Sequence, residues 1–301
     1  MKYLNEEDNF LAIEDKHSNY QDANIVILPA PYEHTVSYGG GTNKGPEGII
    51  NASAYVEFYD NEFDRELCFD KGICTLESIE YGDAVDKAAL DILEIKVSQL
   101  LNDNKFVVTL GGEHTISTAP IAAHLKKYPN MSVLQFDAHS DLRETYEDSP
   151  YSHACIMARV AEFLPYKKIT QVGIRALCIE ESVVIKKENI NTFFASAIRT
   201  GRQGNNWQKA VCDTLADEVY ITFDVDYFDP SIMPSTGTPE PDGFLYNETL
   251  DVFREMIKAG KKIVGFDIVE SAPVVGVTHP EMTVARLLYK MLNFAFYEAK
   301  K

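Results

Sequence analysis

A short segment of the chain, from Val133 to Asp141, places three side chains of the kinds that bind metal ions directly after a run of apolar residues. These side chains are Asp137, His139 and Asp141, and they alternate with other residues. In an extended chain alternate side chains point the same way, so two carboxylates and an imidazole at this spacing can converge on one point. An ordinary polar loop after a strand can carry the same triplet, so a metal site requires that other strands bring ligands to the same place.

Three further segments with the apolar, β-branched and aromatic composition of strands also end in carboxylates or an imidazole. They are Phe106–Leu110, followed by His114; Val219–Phe223, followed by Asp224 and Asp226; and Lys262–Val269, followed by Glu270. Segments with the apolar spacing of helices separate these strands, which predicts a mainly parallel sheet with helices on both faces. Because the carboxyl ends of parallel strands share one edge, we expect all of these side chains to meet there.

The remaining segments complete a single α/β domain over residues 1–301, with three layers (α/β/α) and an irregular segment at 1–23. Strands are also predicted at Asn24–Ala30, Val133–Phe136 and Ile169–Ile174. Helices are predicted at Val85–Leu101, Thr115–Lys126, Met157–Phe163, Glu180–Lys187, Asn206–Ala216, Leu250–Ala259 and Met282–Tyr297. Neither an internal repeat nor a linker divides the sequence.

The composition favours a cytoplasmic protein that binds neither nucleic acid nor membranes. With 46 acidic against 28 basic residues the formal net charge is -18, and such a surface repels nucleic acids and anionic lipids. The five cysteines are scattered without a C-x-x-C pair, which indicates reduced thiols rather than a disulfide framework. The acidic N-terminus lacks the apolar segment of a signal peptide, and no apolar run approaches the roughly 18 residues of a membrane span.

The glycine-rich segment from Ser37 to Pro46 does not have the pattern of a phosphate-binding loop. It lacks G-x-x-x-x-G-K-[ST], and no strand comes immediately before a G-x-G-x-x-G pattern. Pro46 suits the first position of a helix. We therefore expect a shaped loop that leads into a helix.

The predicted cluster holds too many ligands for a single cation. Its four aspartates and two histidines suit a two-metal centre in which carboxylates bridge the ions. Oxygen-rich donors with some nitrogen and no thiolate favour Mn²⁺, although the general affinity order of divalent metals favours Zn²⁺. Two divalent ions offset the four aspartates, so a bound hydroxide and Glu270 leave the site negative. A cationic guanidinium fits such a site, because a carboxylate matches its planar donors, whereas a phosphate ester is repelled.

Six segments of the chain together resemble the signature of the ureohydrolase (arginase/agmatinase) family, in the order and spacing of that family. They are Gly111–His114, Phe136–Asp141, Ser152–His153, Phe223–Pro230, Thr236–Pro241 and Phe266–Glu270. The resemblance covers the chain from about Asn24 to the C-terminus, and Ser37–Ala52 is similar to agmatinases in particular. It implies an arginase-like fold, a binuclear manganese hydrolase acting on C–N bonds of linear amidines, and a homo-oligomer (trimer or hexamer).

The resemblance also implies a role for each ligand. One Mn²⁺ is expected on His114, Asp137, Asp141 and Asp224, and the other on Asp137, His139, Asp224 and Asp226, so that Asp137 and Asp224 bridge. A hydroxide between the ions is expected to attack the guanidinium carbon, and the tetrahedral intermediate to collapse to urea and an amine. Asp141 would take the proton of the hydroxide, His153 would carry a proton to the leaving amine, and Glu270 would hold the guanidinium.

The residue at position 143 bears on the choice of guanidine. Arginases that share this motif carry Asn there, where it helps to bind the α-carboxylate of the substrate, whereas this chain has Arg143 followed by Glu144. The loop resembles that of agmatinases, which predicts hydrolysis of agmatine to putrescine and urea and a place in polyamine biosynthesis. An arginine is unexpected beside a dicationic substrate unless it faces solvent or pairs with Glu144.

Other activities stay open on the sequence alone. Within the family, N1-aminopropylagmatine, guanidinobutyrate and arginine are alternative substrates. A single-metal deacetylase of the same fold needs one ion, often zinc, and usually a His-His pair that the sequence lacks. A non-catalytic binding protein leaves the complete ligand set and His153 unexplained.

Overall fold

Eight parallel strands form one sheet in the computed structural model, which describes residues 1–298. In chain order they are β1 Ile25–Ala30, β2 Ile73–Thr75, β3 Phe106–Gly111, β4 Ser132–Phe136, β5 Ile169–Ile174, β6 Asn191–Phe194, β7 Glu218–Asp224 and β8 Lys262–Val269. Their order across the sheet is β2-β1-β3-β8-β7-β4-β5-β6. Every neighbouring pair is parallel, which confirms the predicted α/β sheet.

Helices connect the strands and cover both faces of the sheet. They are α1 Asp15–Ser18, α2 Gly45–Ser53, α3 Leu67–Lys71, α4 Asp86–Asn102, α5 Thr118–Lys127, α6 Ile156–Ala161, α7 Ile179–Glu188, α8 Ala195–Arg199, α9 Trp207–Thr214, α10 Tyr246–Lys258 and α11 His279–Ala295. Each helix predicted from the sequence has a counterpart here, with ends that differ by a few residues. Within residues 1–298, no helix is long and apolar enough to cross a membrane.

Alternate residues of the strands face two separate cores, which gives the structure its three layers. In β1, Ile25 and Ile27 belong to one core, and Val26 and Leu28 belong to the core on the opposite face. Successive side chains of a strand point to opposite faces, so a sheet covered by helices on both faces buries every position. β1, β4 and β5 are buried along their whole length, as this arrangement requires.

The four strands in the middle of the sheet are those whose ends carry the predicted ligands. β3, β8, β7 and β4 are consecutive across the sheet and run in one direction. Phe136 pairs with Phe223, and Phe223 pairs with Ile268, so these strands end almost level. The residues that follow them therefore emerge side by side at one edge, where open parallel sheets form their binding sites.

The structure differs from the sequence prediction at two strands and at the N-terminus. β2 and β6 are edge strands that the sequence analysis missed, because such short segments show no clear pattern. Residues 1–23 are not irregular throughout, since they contain α1 and a 3₁₀ turn at Phe10–Ala12. This turn is held in the core, where the Leu11 N–H donates a hydrogen bond to Ser53 Oγ of α2 at 2.7 Å.

Candidate metal centre and active-site pocket

The six predicted metal ligands lie in one cluster at the carboxyl edge of the central strands. They are His114 after β3, Asp137, His139 and Asp141 after β4, Asp224 at the end of β7, and Asp226 in the 3₁₀ turn that follows. All are buried except His139, whose side chain is 27% exposed. Asp141 adopts a positive φ of 52°, a conformation that is uncommon outside glycine and that clusters at functional sites.

One group of ligand atoms surrounds His114. Its Nδ1 atom lies 3.1 Å from Asp137 Oδ2, 3.1 Å from Asp141 Oδ2 and 3.4 Å from Asp224 Oδ2. The ligand atoms of His114, Asp137 and Asp224 all lie within 4.8 Å of one another. This spacing is compatible with one divalent cation bonded to each atom at about 2.0–2.2 Å.

A second group of ligand atoms surrounds His139. Its Nδ1 atom lies 2.9 Å from Asp226 Oδ2 and 3.7 Å from Asp137 Oδ1. The ligand atoms of Asp137, His139 and Asp226 again lie within 4.8 Å of one another. Asp137 belongs to both groups and presents a different oxygen to each histidine, as a bridging carboxylate does. Asp224, the other predicted bridge, belongs to the first group at this distance.

Repulsion among the buried carboxyls changes the pH at which they ionise. Burial, together with Asp141 and Asp226, raises the pKa of Asp137 to about 7. Burial and the neighbouring Asp226 raise the pKa of Asp224 well above its usual range. Burial also opposes the ionisation of Asp226, but the charge of His139 lowers its pKa to about 2. Because cations favour ionised carboxyls, divalent ions at this place would relieve the repulsion.

Buried polar side chains behind the ligands fix their orientation. Thr222 Oγ1 lies 2.9 Å from His114 Nε2 and donates a hydrogen bond to Asp267 Oδ1 at 2.7 Å. Gln135 Nε2 donates a hydrogen bond to Asp137 Oδ2 at 2.8 Å. The Nε2–H of His114 therefore points at Thr222, and Nδ1 faces the carboxylates, the arrangement in which a second partner orients a metal-binding histidine.

These supporting residues belong to no motif that the sequence shows. Gln135, Thr222 and Asp267 lie inside strands, and their side chains are completely buried. Asp267 carries the clearest signal, because it stands between Phe266 and Ile268 in an apolar strand. A carboxyl group is rarely buried unless polar groups or cations pair with it, so its position in the pattern indicates nearby partners.

The residues of the cluster fit two divalent cations. His114 Nδ1 and Asp226 Oδ2 are buried and lie close to other ligand atoms, but neither forms a hydrogen bond of normal geometry within residues 1–298, although buried polar atoms are nearly always paired. Within residues 1–298, the four aspartates form ion pairs only with His114 and His139. The donors are carboxylate oxygens and imidazole nitrogens without thiolate, a set suited to divalent ions such as Mn²⁺.

A pocket of about 260 Å³ opens onto this cluster, and the other two predicted catalytic residues, His153 and Glu270, both line it. Glu270 follows β8 with a positive φ of 65°, and its Oε1 accepts a hydrogen bond from the backbone N–H of His114 at 2.7 Å. Burial raises the pKa of Glu270 to about 8, and the nearby carboxyl of Glu113 adds to the rise. The structure thus brings every predicted site residue to one place.

The glycine-rich segment from Ser37 to Pro46 is a shaped loop, as predicted, and its first residue, Ser37, lines the pocket. Glu33 Oε2 holds the loop by accepting a hydrogen bond from the Gly41 N–H at 2.7 Å. Gly39 donates its N–H to Gly237 O at 3.2 Å. A Cβ on Gly39 would lie 2.8 Å from that oxygen, so this close approach to the opposite loop requires glycine.

Arg143 also lines the pocket, but it does not pair with Glu144. Its guanidinium lies 5.0 Å from the ring centre of Tyr146, and its Nε is 3.9 Å from Glu181 Oε2. Glu144 instead forms an ion pair with Arg159 at 3.0 Å. Arg143 is therefore held at the side of the pocket by an aromatic ring and a buried carboxyl.

Known proteins of one family resemble this chain over most of its length. The model of the arginase family matches residues 23–293. The chain is 37% identical to an N(1)-aminopropylagmatine ureohydrolase from Synechocystis sp. over 92% of this chain and 90% of that protein. It is 34% identical to an agmatinase from Bacillus cereus over 86% of this chain and 87% of that protein. The crystal structure of the agmatine ureohydrolase of Thermoplasma volcanium superimposes with a TM-score of 0.83 and 29% identity, covering 96% and 94% of the two chains.

Proposed function

The chain belongs to the arginase family, and we propose that this hydrolase of linear amidines is an agmatinase, which converts agmatine and water to putrescine and urea. The observation that carries the proposal is the convergence of four aspartates and two histidines beside a pocket that also contains Glu270 and His153. Two of the buried ligand atoms lack a hydrogen-bond partner in the described chain, which supports a metal centre rather than a structural polar cluster.

We infer that the centre holds two Mn²⁺ ions. One ion would be held by His114, Asp137, Asp141 and Asp224. The other would be held by Asp137, His139 and Asp226, and also by Asp224 as the family resemblance implies. When bound, two divalent ions lower the pKa of a shared water toward neutrality and so supply the nucleophile. The choice of Mn²⁺ over Zn²⁺ rests on the oxygen-rich donor set.

Glu270 is suited to hold the guanidinium of the substrate. Its Oε1 is fixed by the backbone N–H of His114, which leaves Oε2 to accept hydrogen bonds from the planar guanidinium. A neighbouring cation favours an ionised carboxyl, so substrate binding would offset the raised pKa of Glu270. Ala176 and Leu177 line the same pocket and supply apolar surface for the methylene chain.

Asp141 and His153 are suited to move the two protons of the reaction. Asp141 lies among the ligands, where it can receive the proton that the attacking water loses. His153 lines the pocket with Glu270, so it can deliver a proton to the amine as the C–N bond breaks. Proton delivery makes the amine a better leaving group, and the products are urea and putrescine.

A second substrate deserves a parallel test, because the Synechocystis relative is named for N(1)-aminopropylagmatine. We would measure urea release by Mn²⁺-loaded protein from agmatine, N1-aminopropylagmatine, guanidinobutyrate and arginine. We expect agmatine to give the highest kcat/KM. Preference for N1-aminopropylagmatine would change the assigned substrate but not the assigned reaction. Absence of urea with two metal ions bound would overturn the proposal.

The cytoplasmic location, the homo-oligomer and the place in polyamine biosynthesis stay predictions from the sequence and the family resemblance. Equilibrium sedimentation of the purified protein tests the trimer or hexamer directly.

A further inference from the structure

The segment before the glycine-rich loop is fastened to a buried carboxyl. Glu113 is completely buried directly before His114, and its Oε2 accepts hydrogen bonds from the backbone N–H groups of His34 at 2.7 Å and Thr35 at 2.6 Å. Burial raises the pKa of Glu113, and the hydrogen bonds that it accepts from these two amides oppose this rise. The backbone of Thr35 is therefore held in place beside the metal centre.

The hydroxyl of Thr35 makes three contacts and is fully used by them. Oγ1 lies 2.9 Å from Glu113 Oε1, 3.0 Å from the backbone N of His153 and 3.2 Å from His153 Nδ1. A hydroxyl donates one hydrogen bond and accepts two. The His153 amide can only donate and the Glu113 carboxylate can only accept, so the third contact is a hydrogen bond from Nδ1–H of His153 to Thr35.

This arrangement determines which ring nitrogen of His153 is available for chemistry. With the proton on Nδ1, the neutral ring presents a bare Nε2, and that atom lies 3.3 Å from Ser37 Oγ at the wall of the pocket. Ser152 Oγ is the other hydroxyl near Nδ1, but at 3.5 Å it is farther away than Thr35. Thr35 is therefore the side chain that orients the ring.

We propose that Thr35, anchored by Glu113, is a positioning residue that fixes the ring and the tautomer of His153, so that the bare Nε2 can take up the proton that the attacking water loses and pass it to the leaving amine. The inference rests on the proposed role of His153 in the hydrolysis of a guanidine. It gives a function to Thr35, which precedes the glycine-rich loop. None of the sequence motifs predicted a role in the reaction for a residue of that stretch.

Two substitutions at position 35 distinguish the effect of the hydroxyl from the effect of side-chain shape. Thr35→Val removes the hydroxyl at nearly constant volume, and Thr35→Ser retains it. We expect Thr35→Val to lower kcat for urea release about tenfold with KM within about twofold, a part of the roughly 10²–10⁴-fold effect of a positioned general acid. Thr35→Ser should stay within about threefold of the wild type, because it keeps the hydrogen bond.

A matched control measures how the loss of a buried threonine hydroxyl outside the pocket affects kcat and KM. Thr170 is completely buried in β5, and its Oγ1 pairs with Thr214 Oγ1 at 2.8 Å, away from the pocket. Thr170→Val should leave kcat and KM unchanged. If Thr35→Val also leaves kcat unchanged, or if Thr35→Ser is as impaired as Thr35→Val, the inference is wrong.

The tautomer of His153 can be measured without an enzymatic assay. Nitrogen-15 NMR of histidine-labelled, Zn²⁺-loaded protein distinguishes a protonated from a bare ring nitrogen, and His153→Asn identifies the signal. We expect Nδ1–H in the wild type and in Thr35→Ser, and a mixture of tautomers in Thr35→Val. A wild-type ring protonated on Nε2 overturns the inference even if no variant folds. Failure to release urea from any guanidine overturns the proposed function instead. In that case the NMR measurement still tests whether Thr35 fixes the tautomer of His153.

Discussion

Two clusters of acidic side chains within residues 1–298 differ in the cations that the chain itself places beside them. In the metal centre, four aspartates face two histidines. In the second cluster, Lys290 Nζ lies 2.8 Å from Asp60 Oδ1 and 2.8 Å from Glu62 Oε2. Arg254 completes the second cluster, with its Nε 2.7 Å from Glu62 Oε1.

The difference shows in the titration of the carboxyls. The hydrogen bond from Arg254, with Lys290 nearby, lowers the pKa of Glu62 to about 2 although partial burial opposes it. In the metal centre, burial and neighbouring carboxyls raise the pKa of Asp137 to about 7. A cluster of acidic side chains therefore indicates a metal ion where no lysine or arginine of the chain pairs with it. The four predictions below test this distinction.

The largest effect should come from removing the carboxylate shared by the two ligand groups. Asp137→Asn deletes one charge and one bridging oxygen, so we expect kcat/KM to fall by about 10³-fold or more, equivalent to about 4 kcal/mol. Bound metal, measured by elemental analysis of gel-filtered protein, should fall below two ions per chain. Glu62→Gln is the matched control, and its metal content should equal that of the wild type. Full metal content in Asp137→Asn would contradict the assignment.

Breaking the self-neutralised cluster should lower stability and leave the metal content intact. Lys290 and Asp60 are both buried, so Lys290→Met leaves a buried carboxylate without its main partner and should lower the free energy of unfolding by about 3–5 kcal/mol. Chemical denaturation measures this change. The double variant Lys290→Met, Asp60→Leu should recover most of the loss, because it removes the stranded charge as well. A double variant no more stable than the single one would argue against this explanation.

Two buried histidines differ in their surroundings in the same way as the two acidic clusters, and one of them makes stability depend on pH. His114 lies among carboxylates, whereas His124 donates Nδ1–H to Pro120 O at 2.7 Å and has an unpaired Nε2 in the described structure. Burial lowers the pKa of His124 to about 4. The folded state then binds fewer protons than the unfolded state between pH 6.5 and 4, so stability falls as the pH falls through this window, by about 3 kcal/mol in all.

The His124 contribution is measured as a difference between two proteins. We expect the free energy of unfolding of the wild type to fall more steeply between pH 6.5 and 4 than that of His124→Gln, while other titrating groups cancel. Parallel pH profiles for the two proteins would show that His124 does not contribute.

Counted per ion, the smallest effect should be that of removing the metal ions by chelation. An ion that binds only the folded chain adds about 2.7 kcal/mol when present at a hundredfold excess over its Kd. Chelation should therefore lower the Tm of the wild type, and adding Mn²⁺ should restore it. The same decrease in unfolding free energy is expected in Lys290→Met, because the two clusters share no residue. A wild-type Tm that chelation does not change would contradict a metal centre with this affinity.

The sequence by itself was sufficient to predict which side chains lie together in the candidate metal centre. Asp137, His139 and Asp141 alternate after one strand, and Asp224 and Asp226 alternate after another, so local geometry aims them together. The alternation of strands and helices predicted a parallel sheet, and a parallel sheet collects its carboxyl ends at one edge. Fold class and candidate ligands therefore followed from patterns within a few residues.

The tertiary structure alone decided what surrounds the ligands. Thr35 and His153 are 118 residues apart, and Asp60 and Lys290 are 230 residues apart, so neither contact has a local pattern. Arg143 is a similar case, because the sequence offered Glu144 as its partner and the folded chain supplied Glu181. Hydrogen bonds and ion pairs between distant segments depend on how loops pack on the finished sheet. The sequence therefore predicted the candidate metal ligands, and only the fold showed which side chains orient them.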